Sequence, residues 1–156
     1  MRFCLTLFCL LLASPLAPAF AADAKQLWLE AEALDDKPVE AAAKWQQVVA
    51  SIPKGESAGE GLTHEAAQSG LFQALVDAGV ASKDTKYFDQ ARTVAIEFGA
   101  KQQVFSELII AKAAAASSLK YALKSLKIAK ATAMKIENRF DRSEALHAVT
   151  LAALTK

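Results

Sequence analysis

The stretch FQALVDAGVASKDTKYFDQARTVAIEFG, residues 72–99, contains two apolar segments joined by a short polar turn. In the second segment Ala91 and Ala95 lie one helical turn apart, and Phe98 falls on the same face. Apolar residues at this spacing are typical of an amphipathic α-helix. The stretch therefore predicts a helical hairpin, which is either isolated or one unit of a repeated array.

The composition of the chain predicts an all-α fold. Alanine, the strongest helix former, is the commonest residue after position 21, and the only prolines there are Pro38 and Pro53. Sustained apolar/polar alternation between turn residues, which would indicate strands, is not found. We predict seven helices, near residues 24–34, 38–52, 64–79, 84–98, 102–116, 120–137 and 141–155.

The ends of these helices carry local signals. Asp141 with Glu144 has the spacing of a capping box for the last helix, and Asn138 can end the helix before it. The segment IPKGESAGEGL, residues 52–62, contains three glycines and is predicted to be the one flexible loop. We expect Ala58, in the middle of this loop, to be exposed.

The pattern of small and large apolar residues recurs along the chain. Ala129, Ala133 and Ile136 repeat the spacing of the quoted hairpin further along the chain, and Ala41 and Trp45 give a similar small-then-large step before it. An alanine lets two helices approach closely, and the larger residue fills the space beside it. The spacing favours stacked hairpins.

Three successive segments carry residues at positions that match a known motif. These are Gly79, Ala81, Phe88, Asp89 and Ala91 in the quoted hairpin, Ala41, Trp45 and Pro53 before it, and Leu126, Ala129 and Ala133 after it. Together they resemble a tetratricopeptide repeat, a helical hairpin of about 34 residues. The chain departs from that motif at Ser117, where glycine is usual, and at Lys25 and Leu75, where tryptophan is usual.

The resemblance implies antiparallel helical hairpins stacked as a short right-handed superhelix. The repeat-like units would be residues 24–53, 64–99 and 102–137, followed by a capping helix at 141–155. The distances between equivalent positions of successive units exceed the standard repeat length of about 34 residues. An irregular helical bundle is the alternative arrangement of the same helices.

The first 21 residues have the layout of a secretory signal peptide. Arg2 precedes an apolar run, and Ala19-Phe20-Ala21 provides the small residues of a cleavage site. We predict cleavage after Ala21, which leaves residues 22–156 as a single domain without a membrane span or cysteine. The predicted location is the periplasm or the exterior, and an uncleaved anchor is the alternative.

The charges of the predicted mature chain balance but are unevenly distributed. Seventeen acidic and seventeen basic residues argue against a nucleic-acid-binding protein. Residues 22–79 carry a net charge of −6, and residues 80–156 carry +6. One side of the sixth helix bears the lysine row Lys120, Lys124, Lys127 and Lys130. This row is either a solvated face or a docking strip for an acidic partner or an anionic envelope surface.

Reactive residues do not form a recognisable catalytic or metal-binding motif. His64 and Glu65 resemble the start of a metalloprotease helix, but Gln68 stands where the second histidine is required. With His147 far away in sequence, we expect neither a metal nor a cofactor. Glu30, Glu32 and Glu40 are interpreted as a solvated acidic face rather than as acid–base catalysts.

These features predict an exported, non-catalytic helical-repeat adaptor. It would bind a protein or peptide partner on an extended surface, and the lysine row is the candidate binding site. The alternative is a helical bundle that holds a small apolar ligand, such as a lipid or a quinone, between its helices.

Overall fold

The computed structural model describes residues 16–154, with side chains from Ala21 onward. This part of the chain contains seven helices and no strand, which confirms the predicted all-α fold of about seven helices. Most of the predicted signal peptide, residues 1–15, lies outside the described residues. The helices are α1 (Leu16–Glu32), α2 (Pro38–Ser51), α3 (His64–Ser82), α4 (Thr85–Ile96), α5 (Ala100–Ala115), α6 (Leu119–Ala133) and α7 (Arg139–Leu154).

The first helix begins earlier than predicted. It starts at Leu16 rather than near position 24, and Pro18 lies within its first turn. Proline is tolerated there because the first N–H groups of a helix have no intrahelical acceptor. As a result α1 runs continuously through the predicted cleavage site after Ala21.

The helices pack as consecutive neighbours, with an additional set of contacts between alternate helices. Each helix contacts the next one along the chain. In addition α3 contacts α5, and α5 contacts α7. These three odd-numbered helices therefore adjoin one another in order.

The core is divided into two clusters of buried side chains. The larger cluster joins α1 to α5 and includes Tyr121 and Ala122 of α6. The smaller cluster joins α5, α6 and α7, and its members are Val104, Ala129, Ala133, Ile136, Ala145 and Val149. The alanines of the predicted repeat faces, Ala91, Ala95, Ala129 and Ala133, are all fully buried.

Two glycines of α3 allow large aromatic rings to lie directly on the helix backbone. A Cβ atom on Gly70 would lie 2.8 Å from the ring of Trp45, which belongs to α2. A Cβ atom on Gly79 would lie 2.6 Å from the ring of Phe88, which belongs to α4. Both distances are too short for carbon–carbon contact, so these positions require glycine unless the rings move.

We expect Gly79→Ala to lower the free energy of unfolding by about 1–3 kcal/mol, because the added methyl group overpacks the contact with Phe88. Alanine would otherwise stabilise a helix interior by about 1 kcal/mol over glycine. The measurement is urea denaturation followed by circular dichroism. Gly99→Ala is a control for the same chemical change without a ring contact, because Gly99 is the N-cap of α5 and the nearest group there is the flexible end of Gln102. A Gly79→Ala protein as stable as the control variant would contradict the proposed contact.

The signals for the last two helix boundaries were interpreted wrongly from the sequence. The sixth helix ends at Ala133, and α7 begins at Arg139. Asn138 starts α7 instead of ending α6, since its side chain accepts hydrogen bonds from the backbone N–H groups of Phe140 and Asp141. The predicted capping-box residue Asp141 is therefore free to form a tertiary contact with another helix.

The predicted glycine-rich loop lies between α2 and α3 and folds back on itself. Gly55 and Gly61 adopt φ values of 81° and 75°, in the left-handed region that favours glycine. The backbone N–H of Ala58 donates to the carbonyl oxygen of Leu62 at 2.9 Å. Ala58 is consequently only 7% exposed and packs against the larger core cluster, so the expectation that it is exposed was wrong.

Candidate binding surfaces

The lysine row of α6 lies on the surface. Lys120, Lys124, Lys127 and Lys130 are all exposed. The ammonium group of Lys124 lies 3.7 Å from the carboxylate of Asp89 and 5.2 Å from the centre of the Tyr121 ring. Among the ion pairs of residues 21–154, the other three lysines take part in none.

Apolar side chains share this exposed side of α6. Leu119 is 66% exposed, Leu123 is 50% exposed, and Met134 follows the end of the helix at 59%. At 100° per residue, all three fall within the same half of the helix as the lysines. This surface, which we call the basic–apolar face, therefore combines positive charge with exposed hydrophobic groups.

The orientation of α6 is set by the buried residues on the side of the helix opposite the lysines. Ser118 caps the helix by accepting a hydrogen bond from the backbone N–H of Tyr121. The buried residues are Tyr121, Ala122, Ser125, Ala129 and Ala133, which recur at three- and four-residue intervals. Burial of this stripe against α5 and α7 leaves the lysines facing solvent.

A polar cluster that the sequence analysis did not identify joins α4, α5 and α6. Arg92, with 13% of its side chain exposed, binds the fully buried carboxylate of Glu107 through Nε at 2.6 Å and Nη2 at 3.2 Å. Its Nη1 donates to Asp89 and to the hydroxyl of Tyr121, each at 2.8 Å. Its Nη2 also donates to the hydroxyl of Ser125 at 2.9 Å. One guanidinium group thus contacts residues of three helices.

The Tyr121 hydroxyl connects this buried cluster to the basic–apolar face. It donates a hydrogen bond of 2.6 Å to Asp89, whose side chain is 55% exposed. Burial and this hydrogen bond raise the pKa of Tyr121 well above its ordinary value of 10.0, although Arg92 acts in the opposite direction. Tyr121 therefore remains protonated at neutral pH and acts as a donor.

The spacing of Asp89 and Arg92 could have indicated part of this cluster, because residues three apart share a helix face. The sequence offered no corresponding signal for Glu107, which lies on the next helix, far from Arg92 along the chain. An isolated glutamate such as Glu107 is also common on the solvent-exposed side of a helix, so its presence in the sequence did not indicate burial.

A second candidate surface is a groove between α3 and α5, with a volume of about 510 Å³. Its apolar lining is formed by Phe72, Phe98, Phe105 and Ile109. The rings of Phe72 and Phe98 meet edge-on, with 6.1 Å between their centres. Polar side chains line the rest, namely Glu65, Gln68, Ser69, Glu97, Gln102 and Ser106.

A smaller cleft, of about 390 Å³, lies between α1 and the glycine-rich loop. Trp28 and Leu29 line one side, and Ala58 and Leu62 line the other. The indole N–H of Trp28 donates to Glu32 at 2.9 Å, so the polar group of this ring is already satisfied. This cleft offers fewer unpaired polar groups than the α3–α5 groove.

The acidic residues considered from the sequence are held in local contacts. Glu30 accepts hydrogen bonds from Gln26 and from Lys44, each at 2.9 Å. These hydrogen bonds lower the pKa of Glu30 below its ordinary value of 4.5. Glu40 lies 4.0 Å from Lys37. Glu30 and Glu40 therefore contact different lysines, and Glu32 accepts a hydrogen bond from Trp28.

The two histidines occupy different environments. The Nδ1 atom of His64 lies 2.5 Å from the carbonyl oxygen of Ile52, so this side chain links the two ends of the glycine-rich loop. His147 is exposed on α7. Within residues 16–154, no group of three or more histidine, cysteine or acidic side chains is placed to hold a metal ion.

Comparison with known proteins gave no relative of this chain: no family model, no curated protein and no solved structure matches it. In the part of the chain that the structure describes, none of the helices has both the length and the apolar character needed to cross a bilayer.

Proposed function

We propose that this protein is an exported, non-catalytic helical-repeat adaptor that binds a segment of a protein or peptide partner. The observation that carries the proposal is the groove between α3 and α5, which combines an apolar lining with polar side chains. Such a combination suits an extended or helical peptide, whose apolar side chains need burial and whose polar groups need partners.

The contacts between helices support a repeat-like stack. In a stack of hairpins, the first helices of successive units adjoin one another and line a common surface. The contact of α3 with α5 fits that arrangement for the second and third units, and the contact of α5 with α7 fits a capping helix at the end of the stack. The contact between Gly79 and Phe88 supports the resemblance to tetratricopeptide repeats, because both residues stand at motif positions.

The charges around the groove favour a partner segment with a positive charge beside its apolar residues. Glu65 and Glu97 both line the groove. Glu97 accepts a 3.1 Å hydrogen bond from Lys54, but both side chains of this ion pair are exposed. Exposed ion pairs contribute only about 0–1 kcal/mol, so a basic group of the partner can replace Lys54 at little cost.

Export is supported by the layout of residues 1–21 and is compatible with the packing of α1. The buried residues of α1 that join the larger core cluster, Ala24 and Ala31, both lie after the proposed cleavage site. Cleavage after Ala21 would keep both of these residues and would remove Ala21, which is partly buried against the same cluster. We expect an intact-mass measurement on protein from the envelope fraction of the native host to give Ala22 as the first residue. Retention of residues 1–21 would instead support a membrane anchor.

The groove is tested by selecting a displayed library of random linear peptides against the purified protein. We expect the selected peptides to share apolar residues and to bind at least about tenfold more weakly to Ile109→Glu, since hot-spot substitutions cost about 2 kcal/mol or more and about 1.4 kcal/mol is tenfold. Ile109 is 44% exposed, so the fold should tolerate glutamate at this position.

Ile96→Glu is the matched control for this experiment. Ile96 is 60% exposed on α4 and does not line the groove, yet it undergoes the same chemical change. The proposal fails if no peptide is enriched, or if the two glutamate variants lose affinity equally.

A small apolar ligand is the second candidate for the same groove. The volume of about 510 Å³ falls within the usual range for small-molecule sites. The three phenylalanines provide the apolar lining that such sites usually have. An environment-sensitive naphthalene dye distinguishes the two functions. Dye binding that Ile109→Glu abolishes, in a protein that enriches no peptide, would favour the small ligand over the peptide.

A further inference from the structure

The basic–apolar face of α6 differs from the groove in shape and in chemistry. None of its lysines or apolar residues lines the α3–α5 groove or the cleft beside α1. The four lysines lie along a helix of 15 residues, which is about 22 Å long. The face is therefore an extended positive strip on the outer side of a helix rather than a pocket.

The charge on this strip is largely uncompensated. Lys120, Lys127 and Lys130 have no acidic partner within ion-pair distance among the residues that the structure describes. Only Lys124 is near a carboxylate, that of Asp89. Three exposed ammonium groups are thus available for an anionic surface.

The exposed apolar groups lie between the charges. Leu123 falls between Lys120 and Lys127 along the helix, while Leu119 and Met134 mark its two ends. The aliphatic stem of a lysine can lie along apolar material while its ammonium group reaches an anion. Lysines and leucines on one face can therefore contact two layers of different polarity at once.

These properties favour a membrane surface over an acidic protein. Protein interfaces are enriched in aromatic residues, methionine and arginine and depleted in lysine. This face contains four lysines, no arginine and no aromatic residue, and Met134 is its one residue of an enriched type. A peptide also needs a complementary groove, which a convex helix face does not supply. A bilayer surface instead attracts clustered lysines through its anionic headgroups and accepts leucine side chains between them.

We propose that the basic–apolar face of α6 docks on a membrane surface that carries anionic phospholipids. The lysines contact the headgroup phosphates, and Leu119, Leu123 and Met134 enter the headgroup layer. Because α6 is already capped by Ser118 and packed against α5, docking requires no folding of the helix. The α3–α5 groove is lined by different residues, so the test of membrane docking does not depend on whether the groove binds a peptide.

The test is sedimentation with vesicles, using the protein purified from its host in the form that the cell produces. One set of vesicles contains phosphatidylcholine alone, and the other contains phosphatidylcholine with phosphatidylglycerol. We expect wild-type protein to bind the anionic vesicles more tightly. Raising the salt from about 0.1 M to about 1 M should release much of it, because the Debye length falls from about 10 Å to about 3 Å.

Two variants of α6 test the charged and the apolar parts separately. Lys127→Glu with Lys130→Glu should weaken binding to anionic vesicles by at least about tenfold, since each lysine near such a surface contributes roughly fivefold. Leu123→Ser should weaken binding by a few fold at low salt. Circular dichroism establishes that the variants are folded.

The controls change the same residue types elsewhere. Lys25→Glu with Lys54→Glu alters the net charge equally, at two exposed lysines on α1 and in the glycine-rich loop. Leu29→Ser alters a leucine that is 51% exposed, against 50% for Leu123. Both controls should bind vesicles as the wild type does.

Several results would overturn the proposal. These are equal binding of wild-type protein to neutral and anionic vesicles, unchanged binding of the α6 charge variant, or equal losses in the α6 and control variants. A binding measurement with polyglutamate in place of vesicles tests the alternative partner, an acidic polypeptide. If the α6 charge variant loses polyglutamate binding but still binds vesicles, the face recognises an acidic polypeptide and the membrane proposal is wrong.

Discussion

Replacing Arg92 by methionine is expected to lower the free energy of unfolding by about 3–5 kcal/mol. The reason is that Glu107, which is fully buried, would lose the two hydrogen bonds that compensate its charge. Tyr121 and Ser125 would lose a donor at the same time. Urea denaturation gives the change directly, and its size is a large fraction of the roughly 5–15 kcal/mol that typically stabilises a domain.

A double variant separates the cost of an unpaired charge from the loss of packing. Arg92→Met with Glu107→Met removes both charges and fills similar volume, so it should recover much of the stability that the single change loses. Arg139→Met is the control, because Arg139 is exposed at the start of α7 and should change stability by no more than about 0.5 kcal/mol. If Arg92→Met is no worse than this control, the cluster does not hold the three helices together.

Replacing Trp45 by alanine should also cost about 3–5 kcal/mol, through lost burial and the cavity that remains. Trp45 is only 9% exposed. Its ring lies against Gly70 of α3 and meets the ring of Trp28 edge-on, with 4.8 Å between the ring centres. One side chain of α2 therefore packs against both α1 and α3, and its loss should loosen both contacts.

Two comparisons test the mechanism of the Trp45 effect. Phe140→Ala should have almost no effect, because that aromatic side chain is 82% exposed. Gly70→Ala should destabilise the wild type, whereas in the Trp45→Ala protein it should be neutral or stabilising, since alanine favours a helix once the ring is absent. An equal effect of Gly70→Ala in both backgrounds would argue against the contact between this glycine and the ring.

The Arg92 cluster also connects the two proposed binding surfaces. It joins α5, which forms one side of the groove, to α6, which carries the basic–apolar face. Its contacts hold these helices in a defined relative position.

Local periodicity in the sequence was sufficient to predict the all-α fold. Alanine content and the three- and four-residue spacing of apolar side chains gave seven helices, most with ends within a few residues of the observed ones. The first helix was the largest error: it starts at Leu16 rather than near position 24, and Pro18 lies in its first turn, where proline is tolerated. The capping box at Asp141 was wrong for a different reason: both Asp141 and Glu144 pair with Lys101 of α5, at 2.9 and 2.8 Å.

The sequence by itself determined which side of α4 and of α6 is buried. Ala91, Ala129 and Ala133 were predicted to be contact residues and are fully buried, while the lysine row of α6 is exposed. Which side chains are exposed depends on the period of the α-helix, about 3.6 residues per turn. This period is a local property and is visible in a sequence window of a few turns.

Only the tertiary structure decided which distant residues meet. Arg92 and Glu107 are 15 residues apart, and Arg92 and Ser125 are 33 residues apart. Ala58 is buried because the glycine-rich loop folds onto the core, and the groove exists because α3 adjoins α5. Helical periodicity gives the direction in which a side chain points but not its partner, since the partner depends on how separate helices pack together.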